Sequence, residues 1–368
     1  MFLIDRRYFR YFDWVSFFLV IILTCVGLFF VFSATYRPEQ PYSLFFKKQT
    51  FGILSGFVIY FFCSATDFRT LMRWGYFAYF VVIGLLIFTI FKGHIGMGGQ
   101  RWVDLGFFRI QPSELAKLFF PAYATYYFYT EKDTLSFSFR QFLPVLGVLL
   151  ISFLLIRKQP DLGTALVLLF TGLIMIWFAG IKKQFFIYTG LILLITAPIS
   201  WHLLKEYQQK RVLVFLGHGD SRKERYQIEQ SQIAIGSGGI LGKGLLKGTQ
   251  NKLQFLPESR TDFIFSVIAE ETGFAGALFI IFLFAVLFFQ LLWITLSIKS
   301  PFVQLLALGL ILPIIVSTLI NIAMVTGLMP IVGIPLPFIS YGLSNLWVNF
   351  ASLGWFNAIA IRRFYWGE

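Results

Sequence analysis

The chain has 368 residues, of which 57% are hydrophobic and only 13% are charged, and its formal net charge is +13. Soluble domains carry roughly 25% charged residues, so this composition excludes an ordinary soluble protein and predicts an integral membrane protein. The three histidines are scattered along the chain without ligand spacing, which argues against a histidine-based metal site.

Ten stretches are apolar enough, and about long enough, to cross about 30 Å of hydrocarbon as helices. They lie near residues 12–33, 49–65, 75–92, 113–130, 142–156, 163–181, 184–205, 274–298, 303–327 and 342–361. The second and fifth are short, which is compatible with tilted or partly re-entrant segments. Cys25 and Cys63 fall within spans, where small buried apolar residues are expected. The sequence therefore predicts a single all-α membrane domain over residues 1–368, with a long extracytoplasmic loop at about 206–262 between spans seven and eight.

The distribution of basic residues predicts the orientation of the chain. Arginines precede the first span and follow the last, and an even number of spans puts both ends on one side. Under the positive-inside rule, that side is cytoplasmic. The first span lacks a small-residue cleavage site and is therefore expected to be a signal anchor.

The loops that this topology places outside are unexpectedly basic. The cations in the shorter outer loops are Lys92, Arg101, Arg109, Arg157 and Lys158. The long loop adds Lys210, Arg211, Arg222, Lys223, Arg225, Lys243, Lys247, Lys252 and Arg260. These residues form either ordinary solvated loops or an electropositive surface for an anionic lipid head group or a pyrophosphate. An outward-facing membrane surface makes nucleic acid an improbable partner.

The segment 101–118, with sequence RWVDLGFFRIQPSELAKL, contains the signal of a helix start. Pro112 suits the first turn, and Ser113 is a candidate cap. Glu114 and Lys117 are three residues apart and therefore share a helix face. They form either a structural ion pair that joins helices or part of a polar cavity that a substrate enters.

In the segment 157–170, with sequence RKQPDLGTALVLLF, Asp161 stands directly before a span. An acid at a helix N-terminus is stabilised by the helix dipole, so a capping role alone could explain it. A role in an outer polar site is the alternative.

The glycine-rich run 235–250, with sequence IGSGGILGKGLLKGTQ, does not match a nucleotide-binding loop. Gly242-Lys243 is followed by glycine where a P-loop needs Ser or Thr. Residues 224–235 mix apolar and polar positions, which predicts a short interfacial helix ended by glycines. The glycines either form a plain turn or let backbone amides approach a phosphate.

The run 256–271, with sequence LPESRTDFIFSVIAEE, places Glu258, Arg260 and Asp262 directly before an apolar stretch. Ionisable side chains at the edge of a bilayer are costly and are functional candidates. An acid beside a basic loop suggests chemistry on an anionic substrate embedded in lipid. A capping role for Asp262 before a helix at 263 is the alternative.

The run 329–346, with sequence MPIVGIPLPFISYGLSNL, contains three prolines that forbid a regular helix. Apolar, proline-broken backbone at membrane depth is tolerated only against protein or a cavity. A re-entrant loop beside the site, followed by the last span, is therefore expected.

These motifs together resemble the SEDS family of shape, elongation, division and sporulation proteins. The matching phrases are RWVDLGFFRIQPSELAK, IEQSQIAIGSGGILGKGLLKGTQ, LPESRTDFIFSVIAEETGFAG and PLPFISYG. Within them and beside them, FRIQPSELAK and GTQNKLQFLPESRTDFIF resemble the RodA branch more than the FtsW branch. Two departures stand out. The family usually continues the last motif as Gly-Gly-Ser-Ser, whereas this chain has Gly342-Leu343-Ser344-Asn345. The loop before the glycine run usually contains Asp-Pro and then Gly-Tyr-Gln, whereas this chain has Asp220-Ser221 and then Arg225-Tyr226-Gln227.

The resemblance implies a ten-span peptidoglycan glycosyltransferase of the bacterial inner membrane that polymerises lipid II and releases undecaprenyl pyrophosphate. It implies a class B penicillin-binding protein as partner, together with other membrane proteins of the elongation complex. The essential acid of the family falls on Asp262, and its other functional polar positions match Arg109, Glu114, Lys117 and Asp161.

We expect Asp262 to be the general base and cations near it to bind the pyrophosphate. The candidates for substrate and pyrophosphate binding are Arg101, Arg109, Glu114, Lys117, Asp161, Glu258 and Arg260. A divalent cation, Mg²⁺ or Mn²⁺, is a further candidate for that charge. The rival hypotheses are a lipid II flippase and a non-catalytic scaffold for the penicillin-binding protein.

Overall fold

The computed structural model describes residues 10–96, 99–104, 106, 109–131, 139–182, 222–253 and 255–363, together with residues 184, 185, 187, 190, 191, 209 and 213. The elements of the first half are α1 (Trp14–Thr35), α2 (Leu44–Ala65), α3 (Phe68–Lys92), β1 (His94–Gly96), β2 (Gly99–Asp104), β3 (Arg109–Ile110), α4 (Pro112–Glu131), α5 (Phe139–Lys158) and α6 (Leu162–Phe178). Those of the second half are α7 (Arg222–Ser237), α8 (Thr249–Lys252), α9 (Ile264–Leu296), α10 (Pro301–Val325) and α11 (Leu343–Arg362).

The helices confirm a mostly helical integral membrane protein. In the described part of the chain, five helices are both long and apolar enough to cross a membrane, namely α1, α3, α5, α9 and α10. The predicted spans overlap these five and also α2, α4, α6 and α11. The predicted span 184–205 lies almost entirely outside the described residues.

Two expectations about the spans need correction. The second and fifth spans are not short, because α2 extends over 22 residues and α5 over 20. Polar residues at their ends hid the first turns of both helices from a hydropathy argument. Cys63 is buried as expected, whereas Cys25 is exposed on the outside of α1.

Capping residues explain where several helices begin. The Asp13 side chain accepts a hydrogen bond from the Ser16 amide at the start of α1. Ser43 caps α2, and Asp67 caps α3 through the Arg69 amide at 3.0 Å. Each of these side chains satisfies an amide that the helix itself leaves unpaired.

The segment before α4 contains a small antiparallel sheet that the sequence argument treated as loop. Strand β2 pairs with β1 on one side and with β3 on the other. Val103 faces Ile110 in the β2–β3 register. The sheet leads the chain directly into Pro112, the first residue of α4, and so fixes Arg101 and Arg109 close to that helix.

Small residues allow the innermost helices to approach closely. Helix α2 packs along α11, where a Cβ at Gly354 would lie 2.5 Å from the Tyr60 carbonyl oxygen. Similarly, Gly56 lies against the Phe350 ring. Close backbone approach of this kind is typical of helix packing in membranes.

Candidate functional site

The proline-rich segment between α10 and α11, residues 329–342, is mostly buried and is not helical, as predicted. It passes against the middle of α1, where a Cβ at Gly27 would lie 2.6 Å from the Ile339 Cα. Gly27 lies about 12 Å along the helix from the end of α1. The segment therefore enters the bundle, which supports the predicted re-entrant loop.

Asp262 lies against this segment. Its side chain is half-buried, and a Cβ at Gly333 would lie 3.3 Å from its Oδ2 atom. Asn321 of α10 donates to the Asp262 carbonyl at 2.8 Å and to the Ile334 carbonyl at 2.7 Å. The N-cap position of α9 is Phe263, the residue that follows Asp262.

The residues before Asp262 are held by the same segment. The Ser340 hydroxyl donates to the Thr261 carbonyl at 2.6 Å, and the Tyr341 amide donates to the Arg260 carbonyl at 2.9 Å. The Arg260 guanidinium lies 4.0 Å from the centre of the Phe45 ring, a cation–π contact. Its buried Nε atom makes no hydrogen bond within the described part of the chain.

Glu258 forms the turn that leads into this stretch. Its φ of 51° is left-handed, an uncommon conformation for a residue other than glycine. The Thr261 amide donates to its carbonyl at 3.1 Å, and the Thr261 hydroxyl donates to its carboxylate at 3.1 Å. These bonds give Glu258 a structural role in the turn, while its side chain remains exposed.

Asp161 is the centre of a second polar cluster. Its buried carboxylate accepts hydrogen bonds from Gln111 at 2.6 Å and from the Ser113 hydroxyl at 3.1 Å. It also caps α6 through the Thr164 amide at 3.2 Å, so the predicted capping role is present. Arg101 completes the cluster with Nη1 at 3.8 Å, and its buried Nε has no partner among the described residues. Ser113 is not a cap, because α4 already begins at Pro112.

The proline-rich segment passes close to both Asp262 and the residues that follow Asp161. Gly163, two residues after Asp161, lies so close that a Cβ there would be 2.8 Å from the Val332 carbonyl oxygen. The adjacent residue, Gly333, is the one that contacts Asp262. The segment thereby joins the start of α6 to the start of α9.

Glu114 and Lys117 form a buried ion pair, with Oε2 and Nζ 2.7 Å apart and side-chain exposures of 5% and 4%. Both residues belong to α4, so this pair by itself does not join two helices. Asn345 joins α11 to α4, because its side-chain amide donates to the same Glu114 oxygen at 3.0 Å. Leu343 and Asn345 are the two positions at which this chain departs from the Gly-Gly-Ser-Ser motif. The sequence analysis assigned no role to Asn345.

Arg109 is exposed and pairs with Asp104 at 3.0 Å rather than with another candidate residue. The pKa of Asp104 is lowered, first by the hydrogen bond from the Gly106 amide and then by Arg109. The Arg109 carbonyl accepts a hydrogen bond from the Ser344 hydroxyl at 3.0 Å. The strand that carries Arg109 is therefore attached to the first turn of α11.

Two acids that the sequence argument left unassigned hold the glycine-rich run. The Glu270 Oε1 atom accepts from Lys243 Nζ at 2.6 Å, and from the amides of Thr249 at 2.7 Å and Gln250 at 3.1 Å. Glu271 accepts from the Ser33 hydroxyl of α1 at 2.6 Å. The sequence feature that could have identified Glu270 and Glu271 is that they are adjacent acids inside an apolar stretch.

The glycines explain how the run can lie so close to α9. A Cβ at Gly242, where φ is 81°, would overlap the Glu271 carbonyl oxygen. The amides of Lys243 and Gly244 donate to the carbonyls of Glu270 and Glu271, each at 3.0 Å. These two amides are bonded inside the fold and are therefore not available to a phosphate. The expected helix ended by glycines is confirmed as α7.

Within the described ranges, no group of three or more His, Cys, Asp or Glu side chains is placed to hold a metal ion. We assign no chemical step to a metal.

Comparisons with known proteins agree with this fold. The sequence matches the cell cycle protein family of FtsW, RodA and SpoVE over residues 13–364. It is 38% identical to peptidoglycan glycosyltransferase MrdB of Escherichia coli K12 over 84% of this chain and 83% of the relative. It is 36% identical to stage V sporulation protein E of Bacillus subtilis over 91% and 93% of the two chains.

Two solved structures have the same fold. One comes from a study of the "structural coordination of polymerization and crosslinking by a peptidoglycan synthase complex", with a TM-score of 0.80, 26% identity, and coverage of 96% of this chain and 98% of that one. The other is the rod shape determining protein RodA of Thermus thermophilus, with a TM-score of 0.71, 24% identity and the same coverage.

Proposed function

The chain belongs to the FtsW/RodA/SpoVE family of cell cycle proteins, and on this premise we propose that it is a peptidoglycan glycosyltransferase. It polymerises lipid II into glycan strands during cell-wall elongation and shape maintenance. One observation carries the assignment to a site. The proline-rich segment and the first turn of α11 contact the stretch that bears Asp262, the start of α6 after Asp161, and Glu114.

Asp262 is the proposed general base. The acceptor is the 4-hydroxyl of the sugar of one lipid II, and the donor is the growing strand on its lipid pyrophosphate. The hydroxyl oxygen attacks the anomeric carbon of the donor, and the bond from that carbon to the pyrophosphate oxygen breaks. The hydroxyl proton passes to the Asp262 carboxylate, and the pyrophosphate leaves with the bonding electrons. A positioned base of this kind typically contributes about 10²–10⁴ in rate.

The leaving pyrophosphate gains negative charge, which preorganised cations stabilise. Arg101 and Arg260 suit this role, because the buried Nε of each makes no hydrogen bond within the described residues. Lys117 supplies a buried ammonium, and Arg109 an exposed guanidinium at the edge of the sheet. Glu114 and Asp161 orient these cations, whereas Glu258 shapes the turn before Asp262.

The protein is a multi-pass membrane protein, and we place the site on its extracytoplasmic side with both termini in the cytoplasm. The arginines before the first span and after the last support this orientation. The basic loops around the site then meet the pyrophosphate of a lipid-linked substrate at the outer surface.

The proposed partner is a class B penicillin-binding protein, which would crosslink the strands as they form. The similarity to a chain of a peptidoglycan synthase complex supports this pairing. Other membrane proteins of the elongation complex are further proposed partners.

The test is strand formation from purified lipid II, with the protein co-purified with its penicillin-binding partner after the transpeptidase serine has been blocked. We expect long strands from the wild type and a loss of about 10²–10⁴ in rate for Asp262→Asn. Asp67→Asn is the matched control, because it removes a carboxylate that caps α3 and an asparagine caps a helix equally well. It should retain activity.

Two other outcomes would favour the rivals. Transport of labelled lipid II across vesicles without strand growth would indicate a flippase. Full function of Asp262→Asn in cells, with an intact complex, would indicate a scaffold.

A further inference from the structure

A buried chain of side-chain amides ends at the Glu114–Lys117 pair. The Asn349 side-chain amide donates to the side-chain oxygen Oδ1 of Asn345 at 2.9 Å, and the Asn345 side-chain amide donates to Glu114 Oε2 at 3.0 Å. Both asparagines are at least nine-tenths buried on one face of α11. Asn345 stands where the related motif has serine, so this chain has built a longer polar connection at that position.

The chemistry of the groups fixes the direction of the chain. An ionised carboxylate only accepts hydrogen bonds, so Asn345 must turn its NH₂ group to Glu114. Its carbonyl oxygen then faces Asn349, which must donate to it. A serine hydroxyl can also donate one hydrogen bond and accept another, but it ends one bond sooner and therefore cannot make both contacts at the same reach.

The same carboxylate oxygen binds Lys117. A lysine held at 2.7 Å by a buried carboxylate is not available to an incoming anion unless that carboxylate keeps another partner. Leaving a buried charge without a partner is strongly unfavourable. The Asn345 amide supplies a partner that remains when Lys117 moves.

We propose that Asn345, oriented by Asn349, is a positioning residue that stabilises the Glu114 carboxylate while Lys117 turns from it to a pyrophosphate oxygen of the substrate. This inference rests on the proposed function. The first turn of α11 is suited to the task because Ser344, beside Asn345, is bonded to the Arg109 carbonyl. The hydrogen-bonded chain from Asn349 through Asn345 to Glu114, here called the relay, is thereby attached to β3, the strand that borders the proposed site.

The test compares Asn345→Leu, Asn345→Ser and Asn349→Leu in the complex with the penicillin-binding partner. We expect Asn345→Leu to raise the KM for lipid II by about tenfold with kcat changed less than twofold, which corresponds to about 1.4 kcal/mol. Asn349→Leu should raise KM by about threefold, and the double variant should equal Asn345→Leu, since both act through one contact. Asn345→Ser should fall between Asn345→Leu and the wild type, and it serves if the leucine variant does not fold.

Asn357→Leu is the matched control, because Asn357 is a buried asparagine of α11 that accepts from the Asp13 amide, away from Glu114. It should lower thermal stability and leave KM unchanged. The inference is overturned if Asn345→Leu behaves in the same way, or if it raises KM while Asn349→Leu does not.

Protection against thermal unfolding by added undecaprenyl pyrophosphate separates this inference from the proposed function. Loss of that protection in Asn345→Leu is expected, even if the wild type forms no strands, in which case only the proposed function fails. Equal protection of the wild type and Asn345→Leu would overturn the relay, even if strands form.

Discussion

Replacing Gly333 with alanine tests the contact between the proline-rich segment and the proposed base. The residue has a φ of 72°, and a new Cβ would lie 3.3 Å from Asp262 Oδ2. The left-handed backbone costs an alanine about 1–2 kcal/mol. The carboxylate must also move by a few tenths of an ångström, since 3.3 Å is shorter than an ordinary carbon–oxygen contact.

The two effects have different consequences. Backbone strain lowers stability, whereas displacement of Asp262 lowers kcat. A misplacement of 1 Å in an active site can cost about 10²-fold, so a smaller shift is expected to cost about 3–10-fold in kcat. The KM for lipid II should change less, because the cations are not displaced.

Gly239→Ala is the control for backbone strain alone, since Gly239 has a φ of 58° and a Cβ there would meet nothing within 4 Å. Thermal unfolding in detergent and strand formation are measured for both variants. We expect similar losses of stability and a loss of kcat only for Gly333→Ala. Wild-type kcat in Gly333→Ala, with the stability loss of the control, would refute the argument that this glycine sets the position of the base.

Three further predictions concern other contacts of the site. Lys117→Met should cost less than the about 3–5 kcal/mol of a buried charge left without any partner, because Asn345 still donates to Glu114. The double variant Glu114→Gln/Lys117→Met should recover stability but not polymerisation, as measured by thermal unfolding and strand formation. Recovery of both would make the pair purely structural. Glu270→Ala should speed amide hydrogen exchange in residues 249–250 by at least about tenfold, because a hydrogen bond to a charged group contributes about 1.5–3 kcal/mol. Unchanged protection of these amides would contradict the role of Glu270 in holding the glycine-rich run. Gly52→Ala should lower the thermal stability of the wild type, where its Cβ would meet the Leu343 side chain at 2.5 Å, but not that of a Leu343→Gly variant.

The sequence predicted the elements that depend on local chemistry. Hydropathy located the helices, and prolines located the break before α11. Glycines after α7 predicted its end. The small sheet was not predicted, although Trp102 and Val103 are typical of strands, because a strand of six residues is too short to give a clear pattern.

The partners of the polar residues could not be predicted, because they depend on how helix faces meet. Asn345 and Glu114 are 231 residues apart, and Ser33 and Glu271 are 238 residues apart. Each contact depends on the rotation and level of two packed helices, which no local pattern records. The role of the departure at 343–345 is likewise visible only in these contacts, since Leu343 fits over Gly52 and Asn345 reaches Glu114.

The levels of the buried charges favour a one-sided enzyme over a transporter. In the described part of the chain, the acidic and basic side chains that are more than nine-tenths buried are Asp13, Glu114, Lys117, Asp161, Glu270 and Glu271. The contact of Ser33 with Glu271 places the end of α1 at the level of the site, and Asp13 lies about 30 Å away at the other end of that helix. The remaining four belong to the starts of α4, α6 and α9, which the proline-rich segment and the first turn of α11 hold together. Transporters typically bind their substrate near the middle of the bilayer. Here five of the six buried charged residues lie at the end of the bundle that contains the site, and only Asp13 lies at the other end. This distribution suits a reaction on a lipid pyrophosphate that stays in one leaflet.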